Sequence, residues 1–374
     1  MVLIAIPCLL VGGTEMQTLR LVEALVANGY QCVTVCYFEY DRAMVQRFEL
    51  AGSEVVCLSA YGSRPAGNIA TYRYLNDGLR RVVAYYRPTV AHVQYMAPGA
   101  MPIVILRRLG IRKIIATLHT DASIYNDLKL LRFLQRHVAT VFTCVTEVAE
   151  RSFFGSSNLF DTNYQIKPHD HITIHNCLPR GLSGNSPKNA DCRQPITIGI
   201  VARLEEIKGV DLVIPAFRKV LEGHPDSRLV IVGDGKMRPM MEEQQRQAGI
   251  GGERIEWTGR VAYGRLAELY RRMDLVWVPS RSEGFGLSAI EAMAQGCAVV
   301  AAAVGGLTEV VRHDVDGLLF RPGDADDMAE KTLSLTNNPE RLQEMRRRAT
   351  ESANKYSFEN YSSKIKSLYS QLKP

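Results

Sequence analysis

The stretch ITIGIVARLEEIKGVDLVIPAF, residues 196–217, changes character halfway along. An apolar, β-branched run ends near Ala202, a short charged loop closes on Gly209, and a helical pattern follows. A strand feeding a helix through a tight loop is half of a βαβ unit, and repetition of that unit builds a mostly parallel sheet. The same alternation runs through the chain. Strands are expected at 2–6, 32–37, 54–58, 90–94, 113–119, 141–145 and 172–176 in the first half, and at 196–202, 228–233, 254–259, 275–279, 298–302 and 317–320 in the second.

Two doubly wound, Rossmann-like α/β domains follow from that pattern. A length of 374 residues, with 46% hydrophobic and 22% charged, is enough for two cores, since domains commonly run to roughly 100–200 residues. Between the halves, LPRGLSGNSPKNADCRQP (178–195) loses both periodicities and is rich in Pro, Gly, Ser and Asn. The expected organisation is a first domain over 1–182, a linker over 183–195 and a second domain over 196–356. A C-terminal helix, about 357–374, can pack back onto the first domain.

Composition narrows the function classes. No run of 18 apolar residues is present, so no spanning helix is expected, and MVLIAIPCLL reads as a buried first strand rather than a secretory signal. Eight cysteines form no CxxC pair and read as small core residues in a reducing cytoplasm. The formal charge of +6 sits in the first half, where 20 Lys and Arg face 14 Asp and Glu, while residues 201–374 carry 25 of each sign. LKLLRFLQRH (128–137) sets Leu128, Leu131 and Leu134 apart from Lys129, Arg132 and Arg136. That fits either an ordinary amphipathic helix or contact with an anionic membrane at the inner face of the cell membrane. Phe133 is the single aromatic among these charges, which is not the repeated interleaving of a nucleic-acid surface, so nucleic acid is not an expected partner.

In doubly wound sheets ligands bind at the carboxyl ends of strands. Four such segments carry candidate chemistry. VGGTEMQTL (11–19) opens a helix at Gly12-Gly13, whose bare amides suit an anion or an ordinary tight turn. VARLEEIKG (201–209) sets Arg203 and Lys208 five residues apart, as a diphosphate clamp or as solvated charges balanced by Glu205 and Glu206. VGDGKMRPMME (232–242) offers Gly233 in a turn suited to close approach of a nucleotide. EGFGLSAIEAMAQG (283–296) holds Glu283 ahead of a Gly284-Phe285-Gly286 turn and Glu291 beyond it. Ser288 and Glu291 also fit a capping box, in which the glutamate merely caps its helix. At about 1.5 Å rise per helical residue the two acids are separated by a length comparable to a diphosphate with its ribose.

Taken in order, GG near the start, LHT around His119, HN at 175–176, VARLEEIKG, IVGDG, EWTGRV, VPSRSEGFGLSAIEAMAQG and GGLTEVV resemble the family-four retaining glycosyltransferases of the GT-B fold. The resemblance covers nearly the whole chain. It implies two domains facing an interdomain cleft, the first for the acceptor and the second for a nucleotide sugar. It further implies that Gly13 offers its amide to the donor diphosphate, which Arg203 and Lys208 neutralise, with Gly12 also among the donor-binding residues. Glu283 would meet the donor sugar's hydroxyls, Glu291 the ribose and the backbone near Arg260 and Val261 the base, with Gly233, Gly284, Phe285, Gly286 and Leu287 also binding the donor. His119, Arg203, Lys208 and Glu283 would be the catalytic set. The sequence departs from common family usage at Cys177, where a glycine is usual, and at Thr120, where an acid is frequent.

The expected activity is transfer of a hexosyl unit from a nucleoside diphosphate sugar, UDP-sugar favoured, to a hydroxyl of a sugar, glycolipid or lipid-linked acceptor, with retention, in surface polysaccharide or glycolipid assembly. No cofactor and no divalent metal are expected: Asp314/Asp316 and Asp324/Asp326 resemble DxD strings but read as a turn and a helix N-cap. The alternatives are a nucleotide-sugar epimerase of similar fold and a non-catalytic sugar-nucleotide-binding protein. A dehydrogenase is disfavoured because no GxGxxG is followed by an acid about twenty residues on.

Overall fold

The computed structural model describes residues 1–59, 64–125, 127–182 and 195–372. The expected linker therefore lies, apart from Pro195, outside the described residues, as does Cys192. The chain divides into two compact units, Met1–Cys177 with Phe358–Pro374, and Leu178–Ser357. The division falls at 177/178 rather than 182/183: the Leu178 amide donates to Tyr356 O at 2.8 Å, which ties that strand exit to the second unit.

The first unit holds a seven-stranded sheet of β1 (Val2–Ile6), β2 (Cys32–Cys36), β3 (Ser53–Cys57), β4 (Val90–Gln94), β5 (Lys113–Leu118), β6 (Val141–Cys144) and β7 (Asp170–Thr173), in the order β3-β2-β1-β4-β5-β6-β7. All its pairings are parallel. β1, β2 and β4 are buried at every residue, which is why they read as unbroken apolar runs: helices cover both faces of a parallel sheet. The strand expected at 172–176 begins and ends earlier, because β6 supplies ladder partners only for Asp170 to Thr173. His175 and Asn176 thus lie beyond the sheet edge. The helix Phe358–Gln371 runs against the helix Gly13–Ala27, where Asn28 Nδ2 donates to Ser362 Oγ at 2.9 Å and the Tyr369 hydroxyl meets His92 Nδ1 at 2.8 Å.

The second unit holds a six-stranded parallel sheet of β8 (Thr197–Val201), β9 (Arg228–Val232), β10 (Ile255–Gly259), β11 (Leu275–Val278), β12 (Ala298–Ala302) and β13 (Leu318–Phe320). Its order is β10-β9-β8-β11-β12-β13. Its core is centred on Trp277, Phe217, Val300 and Phe320, and the buried Trp277 indole N–H donates to Thr332 Oγ1 at 2.8 Å. Each sheet reverses its strand order once, between β1 and β4 and between β8 and β11.

The seven described cysteines are free thiols, five of them buried and Cys8 and Cys57 half-buried. Among the described residues no helix is long and apolar enough to cross a membrane.

Candidate functional site

The second unit gathers its candidate residues on one edge of the sheet. Arg203 to Gly209 follow β8, Gly233 follows β9, Arg260 and Val261 follow β10, and Glu283 to Glu291 follow β11. β8 and β11 are hydrogen-bonded neighbours on either side of the order reversal, so their loops leave in different directions from adjacent strand ends. There Lys208 Nζ lies 2.7 Å from Glu283 Oε2, with the two side chains 23% and 16% exposed. The Ser280 hydroxyl donates to the same carboxylate oxygen at 3.1 Å.

Backbone and side-chain ties fix that pair. The Arg281 amide donates to Ile207 O at 2.9 Å, and its guanidinium forks onto Asp211 at 2.6 and 2.7 Å while also donating to Glu206 O. The fork holds the Asp211 carboxyl below its ordinary 3.8 and raises Arg281. Gly209 has φ +63°, and a Cβ there would come within 1.9 Å of Pro279 O; only glycine lets the two loops touch. From the other side, the Gly306 amide donates to Glu283 O at 2.9 Å.

Arg203 behaves differently. Its side chain is 60% exposed and pairs with Glu205 at 3.0 Å. The balance by neighbouring glutamates weighed from sequence therefore holds for Arg203 alone, while Lys208 turns to an acid 75 residues away. Gly233 has a structural reason of its own: at φ +131° a Cβ would meet Ala202 O at 1.9 Å, where the loops after β8 and β9 cross.

The capping box does not form. The helix Leu287–Ala294 starts after Gly286 with no side-chain cap, which leaves Ser288 inside the helix and Glu291 a full turn in. Glu291 is 7% exposed and accepts from the Tyr263 hydroxyl at 2.6 Å and the Tyr270 hydroxyl at 3.1 Å. Phe285 is buried, edge-on to Tyr356 at 5.5 Å between ring centroids. Leu287 and Val261 are half-buried and Arg260 is exposed.

In the first unit, Gly12 precedes the helix Gly13–Ala27 as its N-cap, in extended conformation and without a side-chain cap bond. Glu15 in the first turn is buried and accepts from the Cys8 thiol at 3.2 Å. Burial and the Glu15 charge push that thiol up to about 12, so it remains a donor. His119 follows β5, and its Nε2 lies 2.6 Å from Gln94 Oε1. Burial lowers the histidine to about 4, which leaves the imidazole neutral at neutral pH. Beside it a cavity of about 20 Å³ is lined by Gln17, Gln94, Thr117, Thr143 and Asn176 among others.

The aspartate strings take the structural roles read from sequence. Asp314 sits at φ +60° in a turn and pairs with Arg341 at 2.6 Å, the buried Asp316 accepts from Arg312 and Ser352, and Asp324 N-caps the helix Ala325–Thr336. Among the described residues no group of three or more His, Cys, Asp or Glu is arranged to hold a metal ion. Sequence reasoning missed Arg281, Asp211, Tyr263, Tyr270 and Gln94. Tyr263 and Tyr270 bond Glu291, Gln94 bonds His119, and the Arg281–Asp211 fork joins the loops that carry Lys208 and Glu283, pairings that periodicity does not reveal.

Comparison with known proteins agrees with this layout. The sequence model of the family described as Glycosyl transferases group 1 matches residues 185–355, and that of the Glycosyl transferase 4-like domain matches residues 12–154. The chain is 34% identical over 285 residues to Uncharacterized glycosyltransferase MJ1178 of Methanocaldococcus jannaschii, covering 75% of each chain. It is 28% identical over 306 residues to D-inositol 3-phosphate glycosyltransferase of Segniliparus rotundus, 75% of this chain and 66% of that one. Over 129 residues it is 40% identical to Uncharacterized glycosyltransferase MJ1607 of M. jannaschii, 34% of this chain and 33% of the relative. The matches thus span between a third and three quarters of these relatives. Among solved structures, Anabaena Alr3699/HepE in complex with UDP shares the fold with a TM-score of 0.80 at 19% identity, covering 99% of both chains. Matched in both halves, and over three quarters of a relative at 34% identity, this chain belongs to the group 1 glycosyl transferases and has their GT-B type of architecture, two parallel-sheet Rossmann-like units.

Proposed function

We propose that the protein transfers a hexosyl unit from a nucleoside diphosphate sugar to an acceptor hydroxyl with retention of configuration. The observation that carries this reading is the Lys208–Glu283 pair at the order reversal of the second sheet, with the solvent-facing Arg203 on the same loop. An ion pair between exposed groups is worth roughly 0–1 kcal/mol, so Arg203 can exchange Glu205 for an incoming diphosphate at little cost. Lys208 adds a second cation while it holds Glu283 for the hydroxyls of the sugar. When the bond to the anomeric carbon breaks, negative charge grows on the diphosphate, and fixed cations that interact more strongly with that state lower the barrier. The departing phosphate oxygen takes the acceptor's proton on the same face, so no carboxylate serves as covalent nucleophile. In this mechanism the two cations take the part a divalent metal plays elsewhere.

A uridine donor is supported by the Anabaena protein, solved with UDP and with UDP-glucose. For the acceptor, we propose a sugar, glycolipid or lipid-linked precursor of a surface polysaccharide. The outer face of the helix Leu128–His137 supports the membrane side of that proposal: Leu130 and Phe133 are 40% and 55% exposed among the exposed Lys129, Arg132 and Arg136. An apolar pair ringed by cations suits an anionic lipid surface. Membership of the transferase family disfavours the epimerase and the silent binder.

Thermal-shift screening across UDP-, GDP- and ADP-sugars identifies the donor, because ligand bound to the native state raises the midpoint. Acceptor-dependent release of nucleoside diphosphate, undiminished by EDTA, is then the expected signature, with the product anomer read by NMR. An inverted product or metal-dependent turnover overturns the corresponding part of the mechanism. Release in the wild type that survives both Arg203→Ala and Lys208→Ala overturns its core.

A further inference from the structure

Glu291 stands out in its helix. Its neighbours Ala289, Ile290, Ala292 and Met293 are buried and apolar, and its carboxylate does not cap the helix. An apolar residue would fill such a position without the cost of desolvating a carboxylate. Instead two phenols from another part of the chain converge on it.

Tyr270 lies fully buried on the helix Leu266–Arg272 and donates to Oε2. Burial first, and the charge of Glu291 second, push its phenol well above 10, so it donates across the working pH range. Tyr263 is half-buried in the single 3-10 turn Tyr263–Arg265, two residues past Val261, and donates to Oε1 at 2.6 Å. That is the length of a charge-assisted O–H···O⁻ bond, about twice as strong as a neutral one. With one donor on each oxygen, both the plane and the position of the carboxylate are set. A glutamate left to itself would have to be ordered by its ligand, at a cost in side-chain entropy.

We infer that Tyr263 and Tyr270 are positioning residues that aim Glu291 at the vicinal hydroxyls of a ribose, and that Tyr263 couples this recognition to the Arg260–Val261 segment. The inference rests on the reading of Glu291 as the ribose ligand. It makes the preference for a ribonucleotide over its dideoxy counterpart depend on two phenol hydroxyls that act through the carboxylate they hold.

The test measures calorimetric affinities for UDP, GDP and ADP, takes whichever binds tightest, and compares it with its 2′,3′-dideoxy analogue. The wild type is expected to favour the ribonucleotide by about tenfold or more, the size of lost charge-assisted hydrogen bonds. Tyr263→Phe and Tyr270→Phe should each erode that preference several-fold while affinity for the dideoxy form stays the same. Equal loss for both ligands, or an unchanged preference, assigns the tyrosines a merely structural role and overturns the inference. Tyr263→Phe, at a half-buried position, keeps the test decisive if Tyr270→Phe fails to fold. Should Glu291→Ala retain the full preference, or the wild type bind none of the three nucleotides, the ribose reading itself has failed and the inference falls with it.

Discussion

At the strand ends of the first sheet His119 and Cys8 are half-buried and neutral, whereas the candidate cations of the second sheet sit in ion pairs open to exchange. His119 is lowered to about 4 and bonded to the buried Gln94, and Cys8 is kept as a thiol beside Glu15. After β8 and β11, Lys208 meets Glu283, Arg203 meets Glu205, and Arg281 forks onto Asp211. Sheets of one architecture thus present opposite electrostatics. Burial in the first unit suppresses charge at these strand ends, whereas partial exposure in the second keeps cations open to an incoming anion.

If that difference is functional, its largest consequence is at Lys208. Lys208→Ala should lower turnover by about 10²–10³, the loss typical of one group that stabilises developing negative charge. Unfolding midpoints should move little, because the pair is partly solvated, and near-normal turnover would remove the second sheet from the chemistry.

A smaller effect is expected one layer out. Arg281→Ala removes the fork that joins the loops bearing Lys208 and Glu283, and should cost about tenfold in kcat/KM, within the range for misplaced catalytic groups. Its acid response has a definite sign. Asp211 is lowered by Arg281, so the stabilisation is present above 3.8 and is lost as pH falls through the depressed value. Wild type and variant should therefore converge in midpoint at acid pH.

The first sheet makes its own prediction. Burial lowers His92 to about 3 and His119 to about 4, both from 6.5, so the unfolded chain binds more protons between those values. Stability is complete above 6.5 and declines as pH falls toward 4 and below. His119→Asn should flatten that decline in a series of melting curves. The pH–rate profile of the wild type should show no limb from His119 above about pH 5; such a limb would mean an ionised histidine and a different role. The smallest effect belongs to the helix Leu128–His137. Phe133→Ser with Leu130→Ser should reduce sedimentation with acidic liposomes while turnover on a soluble acceptor stays normal, and undiminished sedimentation would move the membrane contact elsewhere.

Much of the architecture was legible because parallel strands are written as local runs. Each of the thirteen described strands overlaps an apolar, β-branched segment, and misplacements are confined to ends such as β7, where the ladder partner runs out. The site was legible in part for the same reason: residues just after strands must lie on one edge of a parallel sheet. Glu291 shows the limit. Locally it completes a capping box, yet the helix starts at Leu287 and two distant phenols claim the carboxylate. A capping motif reports what neighbours in sequence can do, and a partner brought in by the fold can prevail.

Sequence by itself determined the elements, their alternation and the strand-end placement of the candidates, because each is set by hydrophobic period and short loops, while its ordered motifs carried the resemblance to the family. Tertiary structure alone decided who meets whom: Lys208 with Glu283 rather than Glu206, Arg281 with Asp211, and Tyr263 and Tyr270 with Glu291. The order reversal between β8 and β11 makes neighbours of loops some 75 residues apart, and charge pairing follows distance in space rather than along the chain.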